Sequence, residues 1–100
     1  MRYVGYDELE PGHNFPKLKD SFEKEAYPGK NDVLRFLKNG TVDFARASRT
    51  KDVFTGAVIP TEVLAMHDGE FYWSNTLAWY VEKYNLRLPL DFEKHILMKS

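Results

Sequence analysis

Thr41-Val42-Asp43-Phe44-Ala45-Arg46, followed after a polar stretch by Thr61-Glu62-Val63-Leu64-Ala65-Met66-His67-Asp68-Gly69-Glu70-Phe71-Tyr72-Trp73, decides the fold of this chain. In the first piece Val42 and Phe44 alternate with Asp43 and Ala45, the period of two of a half-buried strand. In the second, a β-branched and apolar run meets Asp68-Gly69, the strongest hairpin signal in the sequence, and Glu70 to Trp73 is expected to pair back. Between them Arg46 to Asp52 is polar and bends back, and Val53-Phe54 and Ala57-Val58-Ile59 flank a Thr55-Gly56 turn. Residues 41–73 therefore read as an antiparallel meander of three or four strands.

Outward from this centre the period becomes helical. On the N-terminal side Asn31 or Asp32 is expected to cap a helix whose buried side carries Val33, Leu34, Phe36 and Leu37. Asn39-Gly40 is expected to close it in a left-handed conformation. An earlier helix is expected over residues 17–25, with Leu18 and Phe22 four apart and Tyr27-Pro28-Gly29 as its end. Residues 1–16 read as a short extended piece near Tyr3–Tyr6 and then an irregular arm lying on the body. On the C-terminal side Ser74 is expected to cap a helix with Leu77, Tyr80, Val81 and Tyr84 on one face, ending at Asn85. Pro89 opens a last helix bearing Phe92, Ile96 and Leu97. Strands in the middle and helices at both ends argue for one α+β domain spanning residues 1–100, with helices on one sheet face. The other sheet face is left wet or left for work.

Composition narrows the functions. The 100 residues hold seven Phe, six Tyr and two Trp, and so much aromatic area suits a small core. The net charge is −1, which gives no general push toward nucleic acid or anionic lipid. With no cysteine there is neither a disulfide framework nor thiolate chemistry, and the expectation is a reducing, cytoplasmic setting. The opening residues turn polar too soon for a signal peptide, and no apolar run approaches the roughly 20 residues of a membrane span.

Motifs for catalysis are few. His67-Asp68 offers an acid–base pair, but strand neighbours point to opposite faces, and Asp68 is better read as a turn residue. His95 has Asp91 four residues earlier on its helix, within reach of a charged pair. His13 reads as a loop residue. No phosphate loop, dinucleotide fingerprint, nucleophile elbow or zinc spacing is present, so no catalytic residue, cofactor or metal is assigned. Arg46, Arg49 and Lys51 form a basic bend between Phe44 and Phe54. This is a candidate for phosphate and base contacts, set against the blander reading of a solvated tip. Trp79 falls on the polar side of its helix, near Glu82 and Lys83. It either packs beneath another element or anchors a partner. Asp68 and Glu70, together with Asp7, Glu8 and Glu10, would form an acidic contact patch if they met in space.

The stretch His67-Asp68-Gly69-Glu70-Phe71-Tyr72-Trp73-Ser74, with Leu77-Ala78-Trp79-Tyr80-Val81-Glu82-Lys83-Tyr84-Asn85-Leu86 and Leu88-Pro89, resembles the ending of a loose group of small uncharacterised bacterial proteins from toxin–immunity neighbourhoods. The resemblance covers the last third of the chain and carries no catalytic motif. It implies kinship of fold more than function and transfers no site residue; an aromatic core, almost no catalytic equipment and the placing of Trp79 then lead to the expectation of an immunity protein whose partner is a toxin domain. The expectation is a small protein-binding module without enzymatic activity, using Trp79, Asp68, Glu70, Arg46, Arg49 and Lys51. The alternatives are nucleic-acid binding through the basic bend and a histidine–carboxylate enzyme. An unpaired sheet edge would also permit a homodimer.

Overall fold

A computed structural model describes residues 1–99. In chain order it contains strand β1 (Arg2–Tyr3), a 3-10 turn at Lys19–Ser21, helix α1 (Lys30–Lys38) and strand β2 (Thr41–Arg46). Strands β3 (Val63–His67) and β4 (Phe71–Ser74) and helices α2 (Thr76–Tyr84) and α3 (Leu90–Lys99) follow. The architecture is α+β, with one four-stranded sheet in the order β1-β4-β3-β2. No described helix is long and apolar enough to cross a membrane.

The sheet is mixed, which corrects the purely antiparallel meander. β2–β3 and β3–β4 are antiparallel, but β1 runs parallel to β4, with Tyr3 opposite Tyr72. The Arg2 and Val4 N–H groups donate to the carbonyls of Glu70 and Tyr72, each at 2.9 Å. A parallel neighbour needs a long crossover, and here almost seventy residues separate β1 from β4 (71 − 3 = 68). No local pattern could announce that pairing.

Other departures are local. Residues 17–25 form only the 3-10 turn, because Glu8 accepts the Leu18 and Lys19 N–H groups at 2.7 and 3.1 Å and ties the segment to the arm. Helix α1 starts at Lys30, ahead of the expected cap, with Gly29 before it at φ 87°. Gly40 is not left-handed. It is glycine because a Cβ would lie 2.6 Å from Trp73 Cζ2 and 3.3 Å from the His67 carbonyl oxygen. Residues 53–59 make no strand, only a bridge between Lys51 and Val58. Ser74 lies at the end of β4, where its hydroxyl accepts the N–H of Thr76 at 3.3 Å, and the residue immediately before α2 is Asn75. Its carboxamide accepts from Leu64 N–H and donates to the Glu62 carbonyl, both at 2.8 Å, holding the start of β3.

The core lies on one face of the sheet. Met66 and Trp73, paired across β3 and β4, point toward the helices. Trp73 packs on Phe36 of α1 and Phe92 of α3, and its indole N–H donates to the Leu37 carbonyl at 3.3 Å. The connector between α2 and α3 is held equally firmly. Asn85 ends α2 at φ 56°, and Tyr27 and Tyr6 donate their hydroxyls to the carbonyls of Leu86 and Arg87. Buried Glu93 accepts from the Arg87 guanidinium and from Leu88 N–H.

Candidate functional site

The face of the sheet away from the helices carries Tyr3, Tyr72, Ser74, Ala65 and Phe44. Cross-strand partners share a face, and Phe44 pairs with Ala65, Ala65 with Ser74, and Tyr3 with Tyr72. The N-terminal arm covers the β1 side of this face. Tyr3 rests on Tyr72 and Phe15 with ring centroids 4.7 and 5.9 Å away, and its hydroxyl donates to Glu10. Burial and that carboxylate push the Tyr3 phenol well above its ordinary pKa. Between the arm and residues 46–50 lies a cavity of about 740 Å³, lined among others by Phe44, Arg46, Arg49, Tyr72 and Glu10. Its size falls within the range of small-ligand and peptide side-chain pockets, roughly 300–1,000 Å³.

At the open rim of this cavity runs β2, a correction to the half-buried strand expected there. All six of its residues are exposed, with Val42 at 50% and Phe44 at 54%. The reason is position. β2 is the outermost strand, paired only with β3, and a bulge between Val42 and Phe44 turns its middle out of register. Among the described residues no hydrogen bond outside the β2–β3 ladder involves its backbone. It is an open edge bearing large apolar side chains.

The basic bend is partly gathered. Arg46 and Arg49 line the cavity, while Lys51 sits outside it beside Val58. Among the described residues none of the three makes an ion pair. Trp79 is half-buried on α2, away from that cavity. Its indole N–H donates to Asp52 at 2.9 Å, and the Lys83 ammonium lies 4.7 Å from the ring centroid. It also borders a smaller cavity of about 320 Å³ with Pro60, Lys38 and Leu64.

Asp52 was absent from the candidates, yet it is 2% exposed and accepts four hydrogen bonds. One oxygen takes Phe54 and Thr55 N–H at 2.8 and 3.2 Å, the other Trp79 N–H at 2.9 Å and the Tyr84 hydroxyl at 2.7 Å. Burial alone would raise its carboxyl, but these donors outweigh it and hold the pKa below the ordinary value. The same contact, added to burial, pushes the Tyr84 phenol up to about 12. The local signal for Asp52 was weak: an aspartate two residues before an aromatic, near a Thr-Gly turn.

The hairpin acids serve His95. Asp68 Oδ1 accepts Glu70 and Phe71 N–H, closing the turn, while Oδ2 meets His95 Nε2 at 2.5 Å. Glu70 faces the other ring nitrogen at 3.4 Å. Asp91, the expected partner, instead pairs with Arg2. Burial raises and these donors lower the Asp68 carboxyl, and its net pKa is below the ordinary value. His67 Nδ1 accepts Gly69 N–H at 3.1 Å, a turn contact. Neither cavity described above is lined by a histidine. The acidic groups are engaged separately: Glu8 with Leu18 and Lys19, Glu10 with Tyr3, and the hairpin acids with α3. Among the described residues no three His, Asp or Glu side chains converge as metal ligands would.

Compared with protein-family models, curated proteins and solved structures, the chain matches none.

Proposed function

We propose that this chain is a small cytosolic protein-binding module without enzymatic activity, an immunity protein that neutralises a bacterial toxin domain. Its contact surface is the open edge β2 with the cavity beside it. The observation that carries the reading is the exposure of Val42 and Phe44 on a strand whose outer backbone has no partner among the described residues. Proteins blunt such edges against indiscriminate pairing. The bulge, Asp43 and Arg46 do so here, yet the two apolar side chains remain open. The toxin class of the partner rests on the scarcity of catalytic motifs and on the neighbourhoods associated with the proteins that residues 67–89 resemble. The test is co-expression with the toxic C-terminal domain of a secreted protein encoded beside this chain. Restored growth and a one-to-one complex are expected. No such neighbouring gene, or no protection from its toxin, overturns the reading.

A second reading has its own support: Arg46 and Arg49 line the cavity with the rings of Phe44 and Tyr72, and among the described residues neither makes an ion pair. Guanidinium groups with aromatic platforms suit single-stranded nucleic acid. It requires oligonucleotide affinity that falls steeply with salt. Absence of binding at low salt removes it.

A further inference from the structure

We infer that β2 accepts an extended acidic segment of a protein partner as a fifth strand, with its carboxylates against Arg46, Arg49 and Lys51. This rests on the protein-binding reading and specifies the chemistry of the partner.

Three observations carry it. An edge strand offers N–H donors and C=O acceptors in alternation, and the outer row of β2 is unmatched among the described residues. A peptide backbone supplies both kinds of group. A phosphodiester backbone supplies only acceptors and would leave the β2 carbonyls unmet.

The charge pattern then selects among peptides. At and beyond the C-terminal end of β2, the basic side chains of Arg46, Arg49 and Lys51 lack ion-pair partners among the described residues and all three are exposed. Acidic side chains at that end gain attraction at little desolvation cost, which favours encounter and register more than raw affinity. A second copy of this chain fits less well. Its β2 offers a single acid, Asp43, to set against the three basic side chains of the facing copy.

Apolar side chains select the register. In an added strand every second residue faces the cavity side, where it would lie beside Phe44, while the remaining residues lie beside Val42. The expected ligand thus alternates apolar residues with acids near one end.

The experiment selects random short peptides by display on the full-length chain and measures the winners in solution. Enriched sequences should combine β-branched or aromatic residues with Asp and Glu, and binding should slow amide exchange in residues 41–46. Arg46→Glu with Arg49→Glu, both at exposed positions, should weaken binding about tenfold. Replacing the peptide acids with lysine should restore affinity for that variant. The inference is overturned by basic winners, by none, by binding indifferent to the charge reversal, or by protection elsewhere. A homodimer that buries β2, or an oligonucleotide held by these residues where no peptide is selected, also overturns it. A toxin complex that survives the reversal and Phe44→Ser defeats this inference alone. Acidic peptides bound as described, with no toxin partner, defeat the immunity reading alone.

Discussion

Residues 41–49 and 50–59 are neighbours in the chain and alike in content, each with one aspartate and one phenylalanine among valines, alanines and basic residues. Their structures are opposite. The second segment has no helix or strand, yet every backbone N–H from Asp52 to Ala57 finds an acceptor: Ala57 and Asp52 carbonyls, the Tyr80 hydroxyl, the Asp52 carboxylate and the Thr55 hydroxyl. Phe54, although 43% exposed, packs on Phe22, Tyr84 and Tyr80. The first segment is, from Thr41 to Arg46, a bulged strand whose outer side is bonded to nothing described. Regular secondary structure and internal satisfaction are thus separate properties, and a surface is available for a partner where satisfaction is missing.

The comparison breaks most readily at Asp52. Asp52→Ala leaves an indole N–H, a phenol and two amides without their shared acceptor, and bonds to charged groups are worth about 1.5–3 kcal/mol each. A loss of about 3 kcal/mol or more is expected in urea unfolding, together with faster amide exchange in residues 53–57. A change as small as that of an ordinary surface substitution would mean that the hub does not hold this loop.

Next comes Gly40→Ala at the entry to β2. The new methyl meets the ring of Trp73, which is 1% exposed and pinned to Leu37, so relief requires strand or ring to move. A cost of about 2 kcal/mol is expected from such overpacking. An unchanged melting temperature would show that β2 can shift freely at its start.

Acid sharpens the contrast. Asp52, Asp68 and Glu8 are all held below their ordinary values in the fold, so the unfolded chain binds more protons as the pH falls. Their stabilisation is complete above the ordinary carboxyl range and is lost as pH drops through about 4 and below. The melting temperature should fall steeply there, with a shallower slope in Asp52→Asn and Asp68→Asn. Equal slopes in all three proteins would contradict the assignment.

The smallest expected effect is on the open strand. Phe44→Ser and Arg46→Glu should change stability by no more than about 0.5 kcal/mol, as at ordinary exposed positions. A larger loss on urea unfolding would place Phe44 in the core and close the proposed surface.

What was legible in the sequence was what is built locally. Asp68-Gly69 makes its hairpin with donors two and three residues away, and Asn85 ends α2 at a positive φ. Pro89 sits immediately before α3 as expected. The hub at Asp52 was not legible because two of its donors lie 27 and 32 residues along the chain. The parallel strand β1 escaped for the same reason. His95 shows the boundary: the pattern put a carboxylate beside it, but tertiary packing supplied Asp68 rather than Asp91. Gly40 was singled out for a left-handed turn, whereas the structure needs it for the close approach of Trp73. The alternation at 42–45 identified a strand, but whether anything covers a strand depends on elements far away.

Residue-resolved amide hydrogen exchange on the unliganded full-length chain tests the central asymmetry most directly. The amides of β2 that point away from β3 should exchange nearly as fast as free chain, while those of Phe54, Thr55 and Gly56, in a loop with no regular structure, should be strongly protected. Protection of the whole of β2, or fast exchange throughout residues 52–57, would contradict the account.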